Sequence, residues 1–135
     1  MRKRYLLLSI IYSVFIFWIS IQPITMETPE LFPYQDKIIH TFLYMLLAGI
    51  IAIGLVRADE RHTLIKIGCI SVMVPFIYGI FIEICQIFVP TRSFELLDIF
   101  ANLCGAVIGT MVILLLSLLF NKWILRQRAF SKIKM

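Results

Sequence analysis

Charge is what this chain has least of. Only 16% of its 135 residues are Asp, Glu, Lys or Arg, against 61% hydrophobic, and the mean hydropathy is +0.94. A soluble domain of this length needs more polar side-chain surface to cover itself, so a water-soluble globular fold is excluded. Cysteine is also scarce. Cys69, Cys85 and Cys104 form no CxxC pair and stand beside no histidine cluster. They read as small apolar helix residues, with a Cys85–Cys104 disulfide left open. His40 and His62 are the only histidines and do not make an HExxH pair; a nucleophile elbow and a phosphate-cradling glycine loop are missing too. No metal and no cofactor is therefore expected. With no linker and no repeat to divide it, the chain is expected to form one unit over 1–135.

What is present is apolar sequence in long runs. Tyr5 to Ile21 follows the basic Arg2-Lys3-Arg4 and is near the minimum length for a membrane span. No small-x-small cleavage site follows it, so it is read as a retained span rather than a signal peptide. Gln22 to Lys37 holds Pro23, Pro29 and Pro33, which exclude a long helix, and its balance is acidic. Three more runs follow, giving expected spans at about 5–21, 38–56, 64–89 and 97–120. The third contains Pro75, where a kink or tilt would absorb excess length, and Pro90 ends it. The fold class is all-α: a polytopic membrane protein built as a four-transmembrane-helix bundle.

The formal charge is +5. In a soluble protein that would suggest nucleic acid; here its distribution speaks for topology. Arg2, Lys3, Arg4, Arg57, Arg61, Lys66, Lys122, Arg126, Arg128, Lys132 and Lys134 all fall on one side of four spans. Lys37 and Arg92 fall on the other. The positive side is cytoplasmic, so both termini are expected in the cytoplasm.

The uncommon polar residues then gather at the outer ends of the spans. Asp36, His40 and Tyr44 share one face of the second helix at i, i+4, i+8. Glu83 and Gln86 stand near the end of the third. Arg92 lies in the turn, and Glu95, Asp98 and Asn102 open the fourth. Ionisable residues at membrane depth point to function. Small residues continue the same faces: Gly79 on the third helix, and Gly105 and Gly109 as a GxxxG pair on the fourth, which lets backbones approach closely in lipid. Structural readings stand beside these. Asp36 and Ser93 can be helix N-caps, Lys37 can snorkel, and Glu83 can pair with Arg92 or Tyr44. Tyr5, Tyr12, Trp18, Phe32, Tyr34 and Trp123 read as lipid contacts and interfacial anchors.

Together, Asp36-Lys37-x-x-His40-x-x-x-Tyr44, Glu83-x-x-Gln86 and Pro90-x-Arg92-x-x-Glu95-x-x-Asp98-x-x-x-Asn102-x-x-Gly105 resemble the VanZ-like family of small bacterial membrane proteins. Thr41 stands where an aromatic residue would be expected after the histidine. The resemblance implies a single VanZ-like membrane domain and a role in the cell envelope. It carries an association with resistance to teicoplanin, a glycopeptide antibiotic, and supplies no reaction.

Three functions fit these residues. In the first, an outward polar cleft binds or modifies a membrane lipid, a lipid-linked cell-wall precursor or a lipoglycopeptide, with Arg92 and Lys37 meeting phosphate or carboxylate. In the second, a membrane-embedded enzyme uses Glu83, Asp98 and His40 as acid, base or metal ligands. In the third, the chain is a small transporter subunit, which would need a homo-oligomer. The first is preferred; enzymatic activity is not favoured, and nucleic acid is not an expected partner.

Overall fold

The computed structural model describes residues 3–23, 33–58 and 63–133, with residues 121–133 described by backbone alone. Four helices follow in order: α1 (Lys3–Ser20), α2 (Gln35–Val56), α3 (Leu64–Gln86) and α4 (Leu96–Ile133). Each contains a stretch long and apolar enough to cross a membrane, which in α4 is Leu96–Phe120. The elements match the expected runs, with shifted ends. α2 starts at Gln35 rather than 38, because Tyr34 takes a left-handed φ of 65° and turns the chain into the helix early. Asp36 therefore sits inside the first turn and is not the cap. α3 stops at Gln86 rather than 89. There the amides of Phe88 and Val89 bond back to Cys85 and Gln86 in tight turns. Its start is conventional: the Thr63 hydroxyl accepts from the Lys66 amide at 3.3 Å. Pro75 is fully buried inside α3. All three cysteines are free.

Packing inverts the usual order of a soluble protein. Glu83, Gln86, Asn102, Ser71 and Thr110 are buried, while Leu7, Val14, Ile65, Ile77, Leu97 and Leu119 are exposed. Apolar side chains cost nothing in hydrocarbon, whereas polar groups there must find partners inside the bundle. The buried face of α3 carries its small and polar residues, Ser71, Pro75, Gly79, Glu83 and Gln86, beside Ile67 and Ile82.

The most extensive helix contact is between α2 and α4. It depends on two glycines. A Cβ at Gly105 would lie 2.2 Å from the Thr41 carbonyl oxygen, and one at Gly109 would lie 2.1 Å from that of Met45. The GxxxG pair thus lays the α4 backbone directly on α2. α3 packs on both, over a core of Tyr44, Leu47, Ile51, Leu55, Ile67 and Ile82 joined by Ile16 of α1. α1 leans mainly on α2. Alternating directions bring the end of α1, the start of α2, the end of α3 and the start of α4 to one end of the bundle.

Candidate functional site

That end is assembled around the turn from α3 to α4. Pro90 presets the second position of a turn closed by the Arg92 amide on the Val89 carbonyl at 3.2 Å. Thr91 takes the positive φ, 69°, that a type II turn requires at its third position. Glu95 stands just before α4, and its carbonyl accepts from the Asp98 and Ile99 amides. Its own amide donates to Glu83 Oε2 at 3.2 Å. A fully buried carboxylate of α3 therefore holds the N-terminus of α4, where the helix dipole favours negative charge. Ser93 does not cap α4; its hydroxyl donates to Glu95 Oε1 at 3.4 Å. The expected partners of Glu83, Arg92 and Tyr44, are replaced by this backbone amide.

A cluster of charge closes over Glu83. Lys37 reaches inward to Asp98 Oδ1 at 2.7 Å and Asp36 Oδ2 at 3.4 Å, and also pairs with Glu95. It does not snorkel away, and its charge is consumed by three carboxylates. Exposure falls with depth: the Asp36 and Glu95 side chains are 42% and 45% exposed, Lys37 21% and Asp98 5%.

One turn deeper, His40 Nδ1 donates to Asn102 Oδ1 at 3.0 Å, and both residues are buried. An amide oxygen only accepts, so the Nδ1 proton is assigned to the ring. Nε2 faces Asp36 Oδ1 at 3.8 Å. Asp36, His40 and Asp98 each place one ligand-type atom within 4.8 Å of the others. Deeper still, Gly79 leaves room for Asn102 Nδ2 and for the Tyr44 ring, which a Cβ would meet at 2.9 and 3.1 Å. The Tyr44 hydroxyl, Asn102 Nδ2 and Glu83 Oε1 are buried with no hydrogen-bond partner.

Gln86 and Arg92, expected to line a cleft, tie α1 to the rest. Gln86 Nε2 donates to the Ser20 carbonyl at 3.0 Å, and Arg92 Nε to the Gln22 carbonyl at 3.1 Å. Both acceptors are backbone groups just where α1 ends, and side-chain spacing carries no signal of them. Midway along α1, the Tyr78 hydroxyl donates to the Ser13 carbonyl at 2.6 Å.

The structure thus brings Asp36, Lys37, His40, Tyr44, Glu83, Glu95, Asp98 and Asn102 together as one packed polar cluster. Gly79, Gly105 and Gly109 permit it, and Gln86 and Arg92 stand at its α1 side. Two grooves open on the flanks, of about 490 Å³ between α1, α2 and α3 and about 220 Å³ between α2 and α4. Their lining is mainly apolar and includes no residue of the cluster. Chemically, the cluster offers buried acceptors and donors, a surplus of carboxylate, and one imidazole nitrogen with a lone pair.

Residues 2–119 match the VanZ/LLP1 family model. No curated protein and no solved structure matches the chain.

Proposed function

The chain belongs to the VanZ/LLP1 family, and from that premise we propose that this multi-pass membrane protein serves the bacterial cell envelope by binding the polar head of a lipid or lipid-linked envelope component at the cluster. Both termini lie in the cytoplasm in this reading, which sets the cluster at the outer face. The distribution of Lys and Arg supports that orientation.

One observation carries the binding reading. Glu83 is fully buried at membrane depth with one oxygen unpaired, beside an unpaired Tyr44 hydroxyl and Asn102 amide nitrogen. Unpaired polar atoms in hydrocarbon are costly, and a ligand bringing its own partners removes that cost. Glu83 Oε1 takes a donor as a carboxylate or an acceptor as a carboxylic acid, Asn102 Nδ2 calls for an acceptor, and Tyr44 takes either. A head rich in hydroxyl and amide groups, as in a glycosylated lipid, offers partners for all three, and because none of these atoms is exposed its entry requires the packed cluster to open. The carboxylates around Lys37 disfavour a bare phosphate as the anchoring group. Contribution to teicoplanin-type glycopeptide resistance follows if the bound component is the antibiotic's target or its lipid-tailed body.

The test has two parts. Native mass spectrometry of the wild-type protein should retain a lipid that Glu83→Ala loses. In cells, Glu83→Ala, Arg92→Ala and Asp98→Ala should each insert normally and lose protection against teicoplanin more than against vancomycin, which lacks the lipid tail. Wild-type protection in all three variants overturns the reading. A reporter fused after Met135 should read as cytoplasmic; an external signal overturns the orientation.

A further inference from the structure

Asp36 and His40 are one turn apart on α2, and Asp98 comes from the first turn of α4. The glycine contacts of Gly105 and Gly109 fix these two helices against each other. We propose that Asp36, His40 and Asp98 form a binding site for one divalent transition cation, Zn²⁺ by preference.

Three independent features carry the site. The first is orientation of the imidazole. His40 gives its Nδ1 proton to the buried Asn102 Oδ1 at 3.0 Å, which leaves Nε2 as the lone-pair atom and fixes its direction. A metal-binding histidine is held this way, by a hydrogen bond from its other nitrogen. The second is spacing. Nε2 and Asp36 Oδ1 are 3.8 Å apart, too far for a hydrogen bond. Two ligands about 2.1 Å from a tetrahedral ion stand roughly 3.4 Å apart, so a shift of a few tenths of an ångström brings this pair to ligand spacing, and the Asp98 ligand atom lies within 4.8 Å of both.

The third feature is charge. Asp36, Asp98 and Glu95 surround the single ammonium of Lys37, three carboxyl groups to one base, so the cluster has acidic groups to spare for a divalent ion. Lys37 contacts Asp36 Oδ2 and Asp98 Oδ1, so each of these carboxylates keeps an oxygen that Lys37 does not hold. One imidazole with two carboxylates favours Zn²⁺ over Mg²⁺ or Ca²⁺, which prefer oxygen alone, and Zn²⁺ over Mn²⁺ by the general affinity order.

The site stands apart from the lipid-binding reading, because its test uses the metal alone. Full-length protein in detergent, freed of any affinity tag, is titrated with Zn²⁺ calorimetrically and analysed for metal after desalting. Wild type should bind one equivalent. His40→Ala and Asp98→Ala should each weaken binding at least about 10-fold, and Asn102→Ala about 10–100-fold through loss of imidazole orientation. His62→Ala should leave binding unchanged, and Lys37→Gln should tighten it by removing a competing cation. Co²⁺ in place of Zn²⁺ should give visible bands without thiolate charge transfer. A wild-type protein that binds no Zn²⁺ overturns the proposal, whether or not the variants fold. So do binding lost in His62→Ala, binding retained in His40→Ala, and a thiolate band from Cys69, Cys85 or Cys104.

Discussion

Replacing Gly105 with alanine sets a methyl carbon 2.2 Å from the Thr41 carbonyl oxygen and 3.0 Å from the Met45 amide nitrogen. Both atoms are α2 backbone and have no rotamer to escape into. Restoring van der Waals distance requires α2 and α4 to part by roughly 1 Å, a gap that forfeits up to half of each contact's attraction. Nearly one turn away, the 3.0 Å bond from His40 to Asn102 spans the same two helices, and the same displacement carries it beyond hydrogen-bond length. Overpacking costs about 1–3 kcal/mol and the lost bond about 0.5–1.5 kcal/mol, while alanine's helix propensity returns up to about 1 kcal/mol. The net is a destabilisation of about 0.5–4.5 kcal/mol, or a melting point lower by on the order of 2–18 °C. Thermal unfolding in detergent, followed by tryptophan fluorescence, measures it. Gly49→Ala is the control within the same helix pair. Its Cβ would meet only Ile113 Cγ1, at an ordinary 3.8 Å, so it should melt at or slightly above wild type. If Gly105→Ala melts as high as Gly49→Ala, the backbone-on-backbone contact is refuted.

Lys37→Met should destabilise by about 2–4 kcal/mol, less than for a fully buried pair because Lys37 is 21% exposed. Exchanging the two charges, Lys37→Asp with Asp98→Lys, should recover part of that loss, and denaturant titration of the single and double variants reads both. Glu83→Gln should retain an acceptor for the Glu95 amide and stay within about 1 kcal/mol of wild type, whereas Glu83→Ala should expose the first turn of α4 to hydrogen exchange. Gln86→Leu and Tyr78→Phe each remove a tie to α1 and should each cost about 1 kcal/mol. Cross-linking between α1 and α3 should fall in the double variant more than in either single one.

Particular residues show why some of this was legible from the sequence and some was not. The spacing of Asp36, His40 and Tyr44 places them on one helix face whatever packs against it. Lys37 lies on that helix too, and its inward turn depends on Glu95 and Asp98, which belong to α4. Ser93 has the right chemistry for an N-cap, yet Glu83 takes that role from another helix. Local capping rules see only neighbours in sequence, so they miss a cap supplied across the bundle. Pro90 marks the end of the third run correctly as a turn. The helix itself stops at Gln86, because i→i+3 bonds at Cys85 and Gln86 tighten the chain before the proline is reached.

Hydropathy by itself determined that this is an all-helical chain with four spans, because hydrocarbon tolerates no unpaired backbone and admits long apolar helices. Helical periodicity by itself determined which faces carry polar and small residues. Tertiary structure alone decided which of those faces meet. It set the Lys37 ammonium among three carboxylates, the His40 imidazole on Asn102 and the Glu83 carboxylate on the α4 N-terminus. Such pairings depend on ångström-scale separations between helices distant in sequence. Here that distance is set by two glycines whose missing side chains let α4 rest on α2.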